Sequence, residues 1–375
     1  SSRAEEIVDL GEVILMPGLV NAHCHLDYTD MAGQLSRPKT FLDWIPQMLA
    51  AKAAWSYTDY AKSWLNGAKM LLQTGTTTVA DIEAVPELLP EMWDATPLRI
   101  VSFLEMTSVR SKREPRDILV EAIGKIDSLS HSRCRAGLSP HAPYSTSPEL
   151  LQLSAEIARE KKIRLTTHVA ESEQEFEMFV YARGKMFDWL KKNGRDNSDC
   201  GLGSPVGQLE RAGLLGENLL AIHANYLADD DFELLAKRNV SVVHCPHSHD
   251  YFKHEKFPLE RLLVSGVNVC LGTDSLATVV KSRKQKPSLN LFEEMRTLSR
   301  AYPNLSSQNI LQIATTNGAR ALGMTGKVGE LSENTFADLI AIPFNGKIAD
   351  IYDSVLHHPS TISASMVDGQ WAIAP

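Results

Sequence analysis

The heptapeptide NAHCHLD, residues 21–27, follows the apolar run VILMPGLV at residues 13–20. In a β-strand alternate side chains share a face, so His23 and His25 point to the same side, two rises of ~3.3 Å apart, while Cys24 faces the other way. This spacing suits two imidazole ligands of one metal ion. By itself it fits equally well one hydrogen-bonded core histidine beside an unrelated one, so the rest of the chain must decide.

Short apolar or β-branched runs recur along the chain, and each ends in a polar or ionisable residue. Eight such runs alternate with longer segments of helical spacing, and the residues that close them are His23 with His25, Asp81, Glu105, His141, His168, His223, His244 and Asp274. This rhythm predicts parallel strands joined by helical crossovers. Eight units fit an α/β fold of the (β/α)₈ TIM-barrel type, with its active site at the C-terminal ends of the strands. A doubly wound sheet is the alternative, but it would keep the first and eighth strands apart.

The two ends of the chain follow a different pattern. Residues 1–15 and 327–375 alternate apolar and polar side chains between Gly and Asn turns, as antiparallel strands do. We therefore predict a small β-sandwich domain built from both termini beside a barrel at residues 16–326. Because the chain starts with Ser-Ser rather than Met, we expect its N-terminal part to be truncated.

Helical spacing between the strands predicts four helices in particular. They lie at residues 56–73, 147–162, 229–239 and 306–323. Ser56 and Asp229 stand at the first residue of their segments, where helix-capping side chains are favoured.

Composition limits the classes of partner. The chain has 38 Lys and Arg against 46 Asp and Glu, a net charge of -8, which argues against a nucleic-acid-binding surface. The basic cluster KSRKQK at 281–286 is predicted to be a solvated loop. Five cysteines without CxxC spacing indicate a reducing compartment, and no apolar run reaches the ~18 residues of a spanning helix. We expect a cytoplasmic protein without a membrane partner; barrels with exposed helical faces often pair as homodimers.

If the barrel closes, five residues of metal-ligand type meet at one end of its axis: His23, His25, His168, His223 and Asp274. Three or four N and O ligands with an open position are typical of a catalytic rather than a structural zinc site. The same set tolerates iron or manganese. Because these residues are placed independently along the chain, coincidence explains them poorly, and we predict a metal site.

Several segments together resemble a known family. MPGLVNAHCHLD, THVAESEQE, IHANYL, HCPHSH and LGTDSLAT are similar to the amidohydrolase superfamily, in its cytosine-deaminase-like branch of aminohydrolases and chlorohydrolases. The resemblance extends through ATTNGARALG and GELSENTFADLIAI, so that it spans nearly the whole chain. Within the branch, HSHDYF and FLDWI are most similar to the aminodeoxyfutalosine deaminase group.

The resemblance implies a role for each residue of the cluster. One divalent ion, zinc or alternatively iron, would be bound by His23, His25, His168 and Asp274. The catalytic residues would be Glu171, His223 and Asp274, and His141 would contact the substrate. A second ion would need a carboxylated lysine at the end of the fourth strand, where RAGLSPH offers none.

The implied reaction is deamination of an aminated purine-like ring in a nucleoside or nucleoside-like substrate. A bound metal lowers the pKa of its water to about 7, so a metal-bound hydroxide attacks the ring while Asp274 takes the water's proton. Glu171 then protonates the ring nitrogen, and ammonia leaves. One alternative is a hydrolase of the same fold that removes chloride, an alkylamine or an amide nitrogen from a triazine or other heterocycle. Another is a barrel scaffold without catalysis.

For four residues near these motifs, two interpretations remain open. Glu171 could instead be a helix N-terminal carboxylate favoured by the helix dipole, and His141 could be a plain strand-end histidine. Phe41 and Trp44 follow the first strand, where a loop could cover the substrate ring, but such aromatic residues are often core.

The segment HCPHSH at 244–249 could suggest a second metal site. Pro246 more simply sets a turn there, and the role of His249 stays open. Asp81 and Glu105 close the second and third strands without an evident partner, so we predict that both are structural.

Overall fold

Eight parallel strands form the body of the protein. The structure is a computed structural model and describes residues 7–109, 111–280, 286–359 and 361–375, so most of the predicted basic loop lies outside the described residues. Strand β1 (Val13–Pro17) belongs to a separate sheet. The eight strands run in chain order as β2 (Leu19–Cys24), β3 (Thr76–Glu83), β4 (Arg99–Met106), β5 (Arg135–Pro140), β6 (Leu165–Val169), β7 (Leu219–His223), β8 (Ser241–His244) and β9 (Asn268–Leu271).

The first and last of these strands meet. Cys24 forms a parallel bridge with Asp274, and the backbone N–H groups of Thr273 and Asp274 donate to the carbonyl oxygen of His23 at 2.9 and 3.1 Å. The predicted (β/α)₈ barrel is therefore confirmed over the doubly wound alternative. Since all eight strands are parallel, their C-terminal ends share one rim.

Helices cover the outside of the barrel. In the described parts of the chain they are α1 (Phe41–Ala54), α2 (Tyr57–Gln73), α3 (Leu89–Asp94), α4 (Pro115–Ser128), α5 (Pro148–Lys161), α6 (Glu173–Tyr181), α7 (Lys185–Lys192), α8 (Pro205–Arg211), α9 (Asp229–Lys237), α10 (Pro246–Phe252), α11 (Leu259–Val264), α12 (Leu291–Ala301), α13 (Ser307–Ile313), α14 (Thr316–Ala321) and α15 (Ile351–Leu356). Short 3₁₀ turns lie at Leu26–Met31, Pro86–Leu88, Leu276–Thr278 and Ile348–Asp350. None of the helices described here has the length and apolarity needed to cross a bilayer.

Three of the four predicted helices are confirmed with small changes at their ends. Helices α2 and α5 begin directly after Ser56 and Ser147, whose side chains accept from backbone N–H groups of the first turn. Helix α9 begins at Asp229, but its capping contact comes from the Asp231 carboxylate, which accepts from the Ala228 backbone N–H at 2.8 Å.

The fourth prediction, one helix at 306–323, is wrong because the segment divides into α13 and α14 at Thr315. The Thr315 backbone leaves the helical region, with φ −132° and ψ −91°. Amide contacts hold α14 against the start of β9: Asn317 Nδ2 donates to Val269 O at 2.8 Å, and Asn268 Nδ2 donates to Asn317 O at 3.1 Å. These tertiary contacts outweigh the helical spacing of the sequence.

The two ends of the chain form an antiparallel sheet, as predicted. Strand β1 pairs with β10 (Leu339–Pro343), which pairs with β11 (Ala364–Val367), which pairs with β12 (Gln370–Ile373). Among the described residues the terminal β structure is this single four-stranded sheet, in the place of the predicted sandwich.

A buried ion pair joins the terminal sheet to the barrel. Arg99 at the start of β4 donates to both carboxylate oxygens of Asp338 at 2.8 and 3.1 Å, and its guanidinium lies 3.9 Å from the centre of the Phe336 ring. The side chains of Arg99 and Asp338 are only 3% and 1% exposed. Asp368 adds a second carboxylate at 3.2 Å. Removing one partner would leave a charge buried without its counter-ion.

We expect Asp338→Ala to lower the free energy of unfolding by about 3–5 kcal/mol, because Arg99 stays buried and keeps only the partly exposed Asp368 as a counter-ion. Urea denaturation followed by tryptophan fluorescence measures the change. The matched control is Glu260→Ala, which breaks an ion pair with Lys256 in which both side chains are 64% exposed and should cost about 1 kcal/mol or less. Equal losses in the two variants would contradict a structural role for the buried pair.

Candidate metal and active site

Three histidines form a cluster at the C-terminal rim of the barrel. His23 lies in β2, His25 directly follows that strand, and His168 lies in β6. Ring nitrogens of all three lie within 4.8 Å of one another, and no other group of three His, Cys, Asp or Glu side chains does so in the described part of the chain. The ring centres of His25 and His168 are each 5.0 Å from that of His23. Barrel closure thus brings together residues 145 positions apart in sequence, from His23 to His168.

Asp274, which follows β9, completes the cluster. Its Oδ1 lies 3.5 Å from His23 Nε2 and 3.7 Å from His25 Nε2. Asp274 has a φ of +52°, and His223 at the end of β7 has a φ of +72°. Residues other than glycine seldom adopt this left-handed region of backbone conformation, and such strain is concentrated at functional sites. The surrounding structure therefore holds these side chains at a conformational cost.

His25 and His168 have the protonation state that metal ligands require. Burial lowers the pKa of His25 to about 3 and takes that of His168 well below its ordinary value, so both imidazoles are neutral. Both ring nitrogens of His23 are buried without a hydrogen-bond partner. His168 Nδ1 lies 3.0 Å from the carbonyl oxygen of His141, which leaves Nε2 as its ligand nitrogen. The donor set fits a divalent ion bound by nitrogen and oxygen.

Glu171 and His223 face each other beside the cluster. Glu171 Oε1 lies 3.4 Å from His223 Nε2, and both side chains are buried. Burial, with a further contribution from Asp274, raises the pKa of Glu171 well above its ordinary value. Burial lowers the pKa of His223 to about 3. A carboxyl group that holds its proton near neutral pH can act as an acid.

The backbone of Glu171 is held from two sides. Its N–H donates to Glu175 Oε2 at 2.9 Å, and its carbonyl oxygen accepts from Asn225 Nδ2 at 2.9 Å. Helix α6 starts at Glu173 with Ser172 as its N-cap. Glu171 therefore precedes the helix instead of lying in its first turn, as the alternative interpretation required.

A cavity of about 400 Å³ opens above these residues. Its floor includes His25, His168 and Asp274, with Glu171 and His223 beside them. The predicted substrate contacts His141, Phe41 and Trp44 all line it. His141 is oriented by a 2.6 Å contact between its Nδ1 and Ser145 Oγ. Every residue that the sequence proposed for the site reaches this cavity or the metal cluster below it.

Sequence reasoning missed several wall residues. Tyr144, Trp189 and Phe252 complete an aromatic lining, and Lys52 forms an ion pair with Glu105 inside the cavity. For Lys52, the sequence signal that could have found it was the apolar stripe of α1, which ends at this residue.

The two strand-end acids predicted to be structural differ from each other. Asp81 accepts from Leu26 N at 3.0 Å and from Trp64 Nε1 at 2.9 Å, so it is structural as expected. Glu105 instead faces the cavity.

The segment HCPHSH forms the end of β8 and the start of α10. His247 Nδ1 lies 3.0 Å from Glu294 Oε1, and this carboxylate raises the pKa of His247 to about 9. His249 Nδ1 lies 3.1 Å from Asn225 Oδ1. Among the residues that the structure describes, these side chains do not form a second metal cluster.

Comparison with known proteins places these features in a family. Residues 14–372 match the amidohydrolase family. The chain is 31% identical, over an alignment of 385 positions, to the 5-methylthioadenosine/S-adenosylhomocysteine deaminase of Syntrophobacter fumaroxidans, covering 95% of this chain and 78% of that relative.

Two solved structures show the same fold at 22% sequence identity. Aminofutalosine deaminase from Helicobacter pylori, in complex with methylthio-coformycin, superposes with a TM-score of 0.84 over 96% of this chain and 87% of that chain. Atrazine chlorohydrolase from Arthrobacter aurescens, complexed with zinc, superposes with a TM-score of 0.83 over 99% and 86%. The resemblance predicted from the motifs is confirmed: the chain belongs to the amidohydrolase family.

Proposed function

We propose that this protein is a metal-dependent aminohydrolase that deaminates the purine ring of an adenosine-like nucleoside and releases ammonia. The observation that carries the proposal is the arrangement of the three clustered histidines, Asp274 and Glu171, a carboxyl group whose pKa is raised by burial, below one cavity of about 400 Å³. A cavity of this size suits a nucleoside-sized ligand. The family relative at 31% identity is a deaminase of adenosine-type nucleosides by its name.

The proposed ligands of one divalent ion are His23, His25, His168 and Asp274. Zinc is the favoured ion, because the donor set is nitrogen and oxygen and the chlorohydrolase of the same fold was solved with zinc; iron is the alternative. When bound, such an ion lowers the pKa of a water molecule enough to make it a nucleophile at neutral pH.

The side chains around the ion would move the protons. The Asp274 carboxylate accepts a proton from the attacking water, and Glu171 donates its proton to the ring nitrogen next to the reacting carbon. The neutral imidazole of His223 donates a hydrogen bond to the oxygen that develops negative charge. The proton held by Asp274 then leaves with the amino group as ammonia, while the proton of the new ring hydroxyl passes to the Glu171 carboxylate. The ring is left with a carbonyl, and both carboxyl groups regain their starting states.

The triazine hydrolase alternative shares the fold and the chemistry of attack. Only a low-identity structural likeness favours it, whereas the relative at 31% identity favours nucleoside deamination. We further expect the enzyme to work in the cytoplasm on a free small molecule; pairing into a homodimer stays a prediction.

The purified protein should contain about one zinc or iron per chain and release ammonia from adenosine, 5-methylthioadenosine or S-adenosylhomocysteine. Elemental analysis, an ammonia assay and the ultraviolet shift of the purine ring measure this. Removal of the ion by a chelator should abolish turnover, and added zinc should restore it. Release of chloride from atrazine, with no ammonia from any nucleoside, would favour the alternative function.

Asp274→Asn should lower kcat by about 10²–10⁴-fold, because an amide cannot accept the proton of the water. Circular dichroism should show that the barrel is retained. Metal content must be measured on the same sample, since Asp274 is also a proposed ligand. Near-normal turnover in this variant would reject Asp274 as the base.

Glu171→Gln should likewise lower kcat by about 10²–10⁴-fold with the metal content intact, because glutamine cannot donate the proton to the ring. The control is Glu173→Gln, an exposed carboxylate two residues further on in the first turn of α6, which should keep its activity. Loss of the metal from Glu171→Gln would make Glu171 a ligand instead of an acid.

A further inference from the structure

One face of helix α1 forms a wall of the cavity. Positions 41, 44, 45, 48, 49 and 52 lie on one side of a helix by their spacing, and all six line the cavity. Five of them are apolar, and the sixth is Lys52 in the last turn. The wall therefore changes from apolar to charged along its length.

Lys52 meets its counter-ion inside the cavity. Its Nζ donates to Glu105 Oε2 at 3.2 Å and lies 5.0 Å from the centre of the Tyr28 ring. The two side chains are 27% and 11% exposed. The other oxygen of Glu105 lies 3.9 Å from His141 Nε2, and the His141 ring centre is 4.8 Å from that of His168. A line of polar groups thus leads from the metal cluster to Lys52.

The pair carries opposite charges that cancel. Although burial raises the pKa of Glu105, the Lys52 ammonium and His141 outweigh it and lower this pKa to about 2. An ammonium has three donors and a carboxylate about four acceptor sites. Among the described residues, one hydrogen bond joins Lys52 Nζ to the protein. Because a buried ion pair is favourable only when its remaining hydrogen bonds are made, the pair has capacity for a ligand.

We propose that Lys52 and Glu105 bind the vicinal hydroxyl groups of the substrate's sugar, Lys52 donating to one hydroxyl and Glu105 accepting from the other. This deepens the proposed function and rests on it, since it names the part of the nucleoside that Lys52 and Glu105 recognise. An uncharged diol matches the pair in net charge and offers both a donor and an acceptor. A carboxylate group would be repelled by Glu105 about as strongly as Lys52 attracts it, and a chlorinated triazine would leave both charges unsolvated.

A purely structural role for the pair is the competing explanation. Lys52 lies on α1 and Glu105 on β4, so the ion pair also ties the cavity wall to the barrel. A structural role predicts that breaking the pair lowers activity by the same factor on every substrate. Recognition of the diol predicts a loss only on substrates that carry the hydroxyl groups.

The test compares adenosine with 2′,3′-dideoxyadenosine in the metal-loaded enzyme. The wild type should prefer adenosine in kcat/KM by about 10–100-fold, as expected for hydrogen bonds to charged groups. Glu105→Gln and Lys52→Met should lose most of this preference through a higher KM for adenosine. With the dideoxynucleoside, the kcat/KM of both variants should stay within about threefold of the wild-type value, because this substrate lacks the 2′ and 3′ hydroxyl groups that the pair would bind.

Met48→Leu is the matched control, since it changes the same wall of α1 with nearly equal volume. It should alter kcat/KM for the two nucleosides by the same factor. If Glu105→Gln and Lys52→Met behave as this control does, the pair is structural and the proposal is overturned. A wild type that deaminates both nucleosides equally would overturn it too, while the proposed function would stand.

Binding provides a readout that does not need turnover. Calorimetric titration of Glu171→Gln protein with each nucleoside should show tighter binding of adenosine by a similar factor, and the preference should disappear when Glu105→Gln is added. If no nucleoside releases ammonia from the metal-loaded wild type, the proposed function fails. The titration then decides separately: selective binding of adenosine supports the diol site, and equal or absent binding rejects it.

Discussion

The site depends on the backbone pairing that closes the barrel between its first and last strands. The carbonyl oxygen of His23 accepts from the N–H groups of Thr273 and Asp274, so the residue that carries the first imidazole is also bound to the residue that carries the carboxylate. These groups are 251 positions apart, from His23 to Asp274. Without this closure His23 and Asp274 would lie at opposite edges of an open sheet, and no single ion could contact both.

Burial then determines the chemistry that these side chains can perform. Excluding water keeps His25 and His223 neutral and raises the pKa of Glu171, so neutral imidazoles and a carboxyl group with an increased proton affinity lie together in one small volume. The same burial leaves the ring nitrogens of His23 without partners. A divalent ion would bind one of these two nitrogens and so offset part of the free-energy cost of burying them.

The strand ends and helix α1 contribute differently to the cavity. The proposed reacting groups stand at strand ends, where the parallel barrel fixes them rigidly. One wall of the cavity is a face of α1, a crossover helix whose apolar positions end in Lys52. Strand-end groups can therefore be shared by hydrolases of one fold, while the residues of a crossover helix adapt the same chemistry to a different substrate.

Much of this protein was determined by local sequence. Runs of β-branched residues defined the strands, Ser56 marked a helix start, and His23 with His25 supplied two candidate ligands of one metal ion, because each of these signals acts within a few residues. Other features belong to the tertiary structure alone. The break at Thr315 arises because α14 packs on β9, and the partner of Glu105 is 53 positions away on α1. Neither is visible in the sequence, because hydrogen bonds and ion pairs between distant segments depend on distances that only the closed barrel sets.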